Sequence, residues 1–191
     1  SQRLRDDNQF ALSWTPPRPG REWLRLRATW TDGPLDVSTA YRAQVEARFA
    51  PVVEPVRRDD VPHTWRPGCP VGPAGLRQIH MSYWDYQGRL RRGTLIGAAG
   101  VVGDYLAIFR RAFDTGFPIK KMYPADRYGG VDERAMRAGN TSAFNCRHVT
   151  GNPYRMSQHS YGNAIDINTF ENPYVTGSRV YPPKAAVPHY H

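Results

Sequence analysis

The pattern of apolar and polar positions is sparse in the first part of the chain and denser after it. Over Glu22 to Trp30, apolar and polar residues alternate, which predicts a half-buried strand. Asp32-Gly33-Pro34 is a turn sequence, and Ser38 can cap a short helix that runs to Phe49. The apolar positions of that segment are few, so the predicted helix depends mainly on its cap.

Prolines punctuate the chain between Pro51 and Pro62, where the charged run Arg57 to Asp60 also lies. This composition is typical of a linker between two folded parts. We therefore predict a β-rich extension, or the edge of a preceding domain, over residues 1–60. Residues 61–191 are predicted to form the main domain.

From residue 63 the pattern indicates a compact α+β domain. Gly100 to Thr115 has apolar residues at helical spacing, and Gly116 stands where such a helix would end. Before this helix, we predict a strand over Leu76–Trp84, a turn over Asp85–Gly88 and a second strand or extended segment through Leu95. After it, we predict a strand over Phe117–Tyr123 and a short helix over Asp132–Ala138.

Charge and cysteine content bear on the class of partner. The 191 residues carry a net charge of +9, which favours polyanionic surroundings such as wall polymers, nucleic acid or anionic membrane. The basic residues are scattered and no nucleic-acid motif is present, so we expect no nucleic-acid partner. No stretch approaches the roughly 20 apolar residues of a transmembrane helix. Cys69 and Cys146 are either two buried thiols or one disulfide.

The run from Ser157 to Asp166 carries the candidate chemistry. His159 and Asp166 offer an imidazole nitrogen and a carboxylate oxygen, which are common zinc ligands. Alternation over Ala164 to Asn168 predicts a strand, and Gly162 permits a bend that brings His159 back over Asp166. Spacing alone is equally compatible with a His and an Asp held by ordinary hydrogen bonds.

The same run resembles the Ser-x-His-x-x-Gly-x-Ala-x-Asp signature of zinc D-alanyl-D-alanine carboxypeptidases of VanY type. Those enzymes share a fold with the L-alanyl-D-glutamate endopeptidases of phage lysins and with hedgehog signalling domains. All five fixed positions match, and the resemblance covers roughly residues 65–180. It implies a small, mainly antiparallel sheet with the zinc site on one face and helices on the other.

The resemblance also implies roles for individual residues. His159 and Asp166 match two zinc ligands, and Arg147 matches a basic residue that holds the substrate carboxylate or stabilises the oxyanion. The alternative for Arg147 is a salt bridge that braces its loop. Ser157 and Asn145 are predicted to hydrogen-bond the substrate or the ligands. Cys69 and Cys146 match positions that such wall enzymes often pair in a disulfide, which implies an extracellular or wall-associated bacterial protein.

The chain departs from the family pattern after Asp166. The family has a third ligand, His, preceded three residues earlier by the acid that acts as general base. His189 and His191 have Ala186 and Pro188 at that position, so neither fits the pair of acid and ligand, and we expect a truncated peptidase domain. The alternative is that His189 or His191 acts as a substitute third ligand in a protein that binds metal but catalyses poorly.

Three functions therefore stay open. The first is a zinc peptidase acting on peptidoglycan stem peptides, as a carboxypeptidase or an endopeptidase. The second is a non-catalytic binding or signalling module on the same scaffold. The third is a basic domain that adheres to anionic wall polymers.

Overall fold

The computed structural model describes residues 20–30, 37–149 and 151–182. Most elements are short strands, and the two α-helices are α1 (Val102–Asp114) and α2 (Asp132–Arg137) in the described part of the chain. The strands are β1 (Gly20–Trp30), β2 (Val37–Ala47), β3 (Val52–Pro55), β4 (Leu76–Trp84), β5 (Leu90–Ala98), β6 (Lys121–Met122), β7 (Asn140–Thr141), β8 (His148–Val149), β9 (Asn152–Met156), β10 (Tyr174–Thr176) and β11 (Arg179–Tyr181).

The first two strands form an antiparallel ribbon. β1 confirms the strand predicted from alternation, but the helix predicted over Ser38–Phe49 is wrong, because this segment is β2 and pairs with β1 along its length. Its β-branched and aromatic residues fall on alternate positions, at Val37, Thr39, Tyr41 and Val45, which favours a strand over a helix. The turn predicted over Asp32–Pro34 lies outside the described residues.

The strands β3, β4 and β5 form a three-stranded antiparallel sheet in that order, and residues of β4 and β5 contribute to the main core. β4 has the predicted bounds, and the predicted turn follows it, where the amide of Gly88 donates to the carbonyl of Asp85. The predicted linker is wrong over residues 52–61: β3 pairs with β4, and Val56 and Val61 are buried. The division into an extension and a main domain stays a prediction, but the sheet begins before residue 61.

Helix α1 covers one face of β4. Its inward residues Tyr105, Phe109 and Phe113 lie four positions apart and are buried in one cluster with Ile79 and Met81. The helical spacing read from the sequence is thereby confirmed. No helix in the described ranges has the length and apolarity needed to cross a bilayer.

Between α1 and the candidate site the chain forms only short pairings. The strand predicted over Phe117–Tyr123 is reduced to β6, which pairs in parallel with β7. Pro118 has no amide proton to donate, and its one bridge is to Trp84, so a longer ladder cannot extend through it. The short helix predicted from Asp132 is confirmed as α2.

Cys69 and Cys146 form a disulfide, as the family resemblance implies. The bridge joins residues 77 positions apart and lies in a second buried cluster that includes Phe144 and Leu76. The backbone around Cys146 is also held by hydrogen bonds, because its amide donates to Thr64 and its carbonyl accepts from Arg66. The predicted α+β class, with small and mainly antiparallel sheets, is confirmed.

Candidate metal centre and cleft

His159 is carried by a single 3-10 turn, Gln158–Tyr161. Ser157 caps this turn, since its hydroxyl accepts a hydrogen bond from the amide of His159 at 3.4 Å. The turn is fixed from behind by Ser160, whose buried hydroxyl donates to the Arg147 carbonyl and accepts from the Arg147 amide. His159 is thus presented by a short element with little freedom of its own.

Gly162 ends this turn with the predicted bend. Its φ is 68°, a left-handed conformation that favours glycine, and its carbonyl accepts from the Ala98 amide at 2.9 Å and the Tyr105 hydroxyl at 2.8 Å. A Cβ at Gly162 would lie 2.6 Å from the Ala98 nitrogen. The bend is therefore clamped between the end of β5 and helix α1.

Asp166 reaches the site from an isolated bridge and not from the strand predicted over Ala164–Asn168, so that prediction is wrong. Ser142 and Asp166 exchange two backbone hydrogen bonds of 2.9 and 3.0 Å, and the pairing ends there. Asn168 breaks the strand because its φ is 48°. Its side chain is instead bonded to the backbones of Lys120 and Pro118. Ile165 and Ile167 are partly buried against the core.

The two candidate ligands converge on one point. His159 Nε2 lies 3.2 Å from Asp166 Oδ2, and the His159 side chain is only 14% exposed. The opposite ring nitrogen, Nδ1, donates to the Ala143 carbonyl at 2.6 Å. That bond places the proton on Nδ1 in the neutral ring and leaves the Nε2 lone pair facing the carboxylate.

These two donors fit zinc. Donors of one tetrahedral zinc ion lie about 2.0–2.2 Å from the metal, which sets them about 3.4 Å apart. The observed 3.2 Å is close to that spacing, and the backbone bond to Nδ1 is the kind of support that zinc-binding histidines have. Over the described residues, however, no group of three His, Cys, Asp or Glu side chains could hold a metal ion together.

Charge around His159 favours its protonated form when no metal is considered. Burial opposes the charge, but the hydrogen bond and negative charge of Asp166 and the Ala143 carbonyl raise the pKa of His159 above its ordinary value. Burial also raises the pKa of Asp132, with repulsion from Asp166, against the attraction of Arg147. Asp132 thus shares the electrostatic environment of the two candidate ligands.

The segment that contains His159 and Asp166 resembles a known protein family. A family model described as D-alanyl-D-alanine carboxypeptidase matches residues 150–190. This segment resembles that carboxypeptidase family. The resemblance predicted from the sequence is confirmed here, and its extension upstream to about residue 65 stays a prediction. No curated protein and no solved structure matches the chain.

Arg147 lies beside the carboxypeptidase-like segment and makes the salt bridge considered as an alternative for it. Its Nη2 is 2.7 Å from Asp132 Oδ2, and its Nη1 donates to the His148 carbonyl at 3.2 Å. Its Nε is buried without a hydrogen-bond partner among the described residues. A role for Arg147 towards substrate stays a prediction.

The other predicted site residues differ in whether they line the cleft over His159 and Asp166. Ser157 is near His159 in the chain and, like it, lines a cleft that opens over the His159–Asp166 pair. Asn145 does not line it: its side-chain amide donates to the Gly130 carbonyl at 3.1 Å, and its backbone amide donates to His159. Its contact with substrate stays a prediction. His189 and His191 lie outside the described residues.

A cleft of about 700 Å³ opens over the His159–Asp166 pair. The α2 residues Asp132 and Glu133 line it, as do Arg155 of β9 and the β10–β11 residues Tyr174 and Tyr181, together with Arg147 and Ser157. Sequence reasoning did not find Asp132, Arg155 or the tyrosines, because no motif marks them and only the folded chain brings these elements together.

Proposed function

We propose that the protein is a zinc metallopeptidase that hydrolyses the stem peptides of peptidoglycan, outside the cell or in the wall. Removal of a terminal D-alanine is the reaction that we favour over cleavage within the stem. The observation that carries this proposal is the 3.2 Å approach of His159 Nε2 to Asp166 Oδ2 within the carboxypeptidase-like segment.

His159 and Asp166 would hold the zinc ion, with the Ala143 carbonyl orienting the imidazole. Zinc, when bound, acts as a Lewis acid that polarises a carbonyl and lowers the pKa of water to about 7. The carboxylate of Asp132 orients the Arg147 guanidinium beside these ligands, where its charge would stabilise negative charge on the substrate oxygen. Ser157, which lines the same cleft, would hydrogen-bond the peptide.

The test compares two histidines that lie close together in the chain but in different surroundings. His159→Ala removes a donor from the cleft, whereas His148→Ala changes an exposed side chain that does not line it. We expect the intact protein and His148→Ala to bind zinc and to release D-alanine from a diacetyl-lysyl-D-alanyl-D-alanine peptide, with loss of activity in chelator. In His159→Ala, the zinc affinity and the rate of D-alanine release should each fall by roughly 10²-fold or more.

Hydrolysis by His159→Ala at the rate of the intact protein would refute the zinc peptidase. Zinc content measured by elemental analysis after gel filtration separates loss of metal from loss of fold, which circular dichroism reports. A variant that stays folded and active without zinc would have the same meaning.

A second function is favoured by one observation: the described residues bring together two donors and not three. A non-catalytic module that binds the wall would need no metal. Its signature would be binding to purified peptidoglycan that persists in chelator, with no release of D-alanine. A merely adhesive basic domain would differ further, since its net charge of +9 makes its binding to anionic polymer fall steeply with salt.

A further inference from the structure

The cleft contains two arginines, and they differ in how their charge is used. Arg147 is committed to Asp132 through a 2.7 Å contact between the guanidinium and the carboxylate. Arg155 lines the same cleft, but no hydrogen bond or ion pair joins its side chain to another described residue. Arg147 therefore has a carboxylate partner within the protein, whereas the Arg155 side chain has none among the described residues.

The acids of the cleft do not supply the missing partner. Glu133 is bound by Arg137 at 2.6 Å, one helical turn along α2. Asp166 faces His159 at 3.2 Å. Each described carboxylate that lines the cleft, Asp132 included, thus already has a positive or hydrogen-bonding partner, and none of these pairs includes Arg155.

Arg155 is held close to the candidate ligands by its position in the chain. It lies in β9, two residues before Ser157 and four before His159. The Met156 end of β9 pairs with β8, and the Ser157 amide then donates to the Arg147 carbonyl at 2.9 Å. The strand is thereby fixed at the end nearer the metal centre, while the Arg155 side chain is exposed towards the cleft.

We propose that Arg155 determines substrate specificity by binding the terminal carboxylate of the stem peptide. A guanidinium presents two parallel N–H donors that match a carboxylate, so a free arginine at the cleft is suited to this group. Arg147 already holds a carboxylate of the protein, Asp132, so Arg155 is the better candidate for the carboxylate of the substrate. This inference rests on the proposed function and deepens it, because a residue that binds the terminal carboxylate selects exopeptidase over endopeptidase action.

The experiment compares two ligands and two arginine variants. The ligands are diacetyl-lysyl-D-alanyl-D-alanine and the same peptide with a C-terminal amide, which lacks the negative charge. Arg155→Ala removes the proposed contact, and Arg179→Ala removes another exposed charge, in β11, that does not line the cleft. Binding is measured by titration of the intact protein in chelator, so that the readout does not depend on zinc or on turnover.

We expect the intact protein and Arg179→Ala to bind the carboxylate peptide about tenfold more tightly than the amide. Arg155→Ala should bind both peptides equally, at the affinity of the amide, and the preference of the intact protein should shrink as salt is raised. Arg155→Lys keeps the charge without the paired donors and should retain part of the preference.

A carboxylate preference that survives Arg155→Ala would overturn the proposal, as would equal binding of both peptides by the intact protein. Neither result would affect the zinc peptidase, which the His159 and His148 variants test separately. Failure of the intact protein to bind or hydrolyse either peptide would overturn the proposed function together with this inference.

Discussion

Gly162→Ala tests whether the bend between His159 and Asp166 is held by packing as well as by backbone conformation. Gly129 is a matched control, because both glycines end a 3-10 turn with almost the same dihedral angles: φ 68° and ψ 19° at Gly162, φ 69° and ψ 23° at Gly129. An alanine at Gly129 would meet nothing within 4 Å, whereas at Gly162 its Cβ would lie 2.6 Å from the Ala98 nitrogen.

The two substitutions should therefore lower the free energy of unfolding by different amounts. A left-handed conformation costs a residue with a Cβ roughly 1–2 kcal/mol, and Gly129→Ala should lose about that much. Gly162→Ala should lose the same amount and, in addition, about 1–3 kcal/mol for overpacking against backbone. To relieve the contact the chain would have to lengthen the 2.9 Å hydrogen bond from the Ala98 amide to the Gly162 carbonyl.

Equilibrium unfolding in urea at pH 7 measures both free energies, and zinc titration measures the consequence for the site. We expect Gly162→Ala to be at least about 1 kcal/mol less stable than Gly129→Ala. It should also bind zinc more weakly than Gly129→Ala, because the shifted bend moves His159 relative to Asp166. Equal stabilities in the two variants, with equal zinc affinities, would refute the packing argument.

Three further predictions concern the disulfide, a buried acid and the metal centre. Reduction of the Cys69–Cys146 bridge, which spans 77 positions, should lower the free energy of unfolding by about 4 kcal/mol in urea; unchanged midpoints would contradict this. Burial acts to raise the pKa of Asp85, but hydrogen bonds from backbone amides and two arginines outweigh it and hold the pKa at about 2, below the ordinary 3.8. The stabilisation by the ionised Asp85 is present above pH 4 and is lost as pH falls through about 2. The difference in free energy of unfolding between the unmodified protein and Asp85→Asn should therefore shrink by about 1–2 kcal/mol on acidification, a value reduced because the partner arginines are exposed. Because protons compete with metal for His159, whose pKa is raised, zinc affinity measured by titration should fall about tenfold per pH unit below that pKa, and a flat profile would exclude His159 as a ligand.

The elements that could be predicted from the sequence are those whose signal is local. β4 and α1 have dense periodic patterns and clear ends, so their bounds could be read closely from the chain. The helix predicted over the segment that forms β2 is wrong because the serine cap is a weaker signal than the alternation of β-branched and aromatic residues. That alternation becomes decisive only when β1 is present as a partner, which is a non-local condition.

The candidate site divides in the same way. The convergence of His159 and Asp166 could be predicted, because Gly162 stands between them and only seven positions separate them. The partner of Arg147 could not, since Asp132 comes from a separate helix, and the ion pair exists only after α2 folds against the site. Arg155 stands only two residues before Ser157, but a single sequence cannot show that its side chain lines the cleft without an ion-pair partner among the described residues.

The three ties at Cys146 have a practical consequence for anyone who handles the protein. Two are hydrogen bonds of its backbone, one donated to the Thr64 carbonyl and one accepted from the Arg66 guanidinium, and the third is the covalent link to Cys69. Dithiothreitol in a purification buffer would cut the covalent tie one residue from Arg147, and its thiolates would also compete for zinc. Assays run in such a buffer would report a protein disturbed in two places, so thiol-free preparation, with expression in an oxidising compartment, is the appropriate starting point.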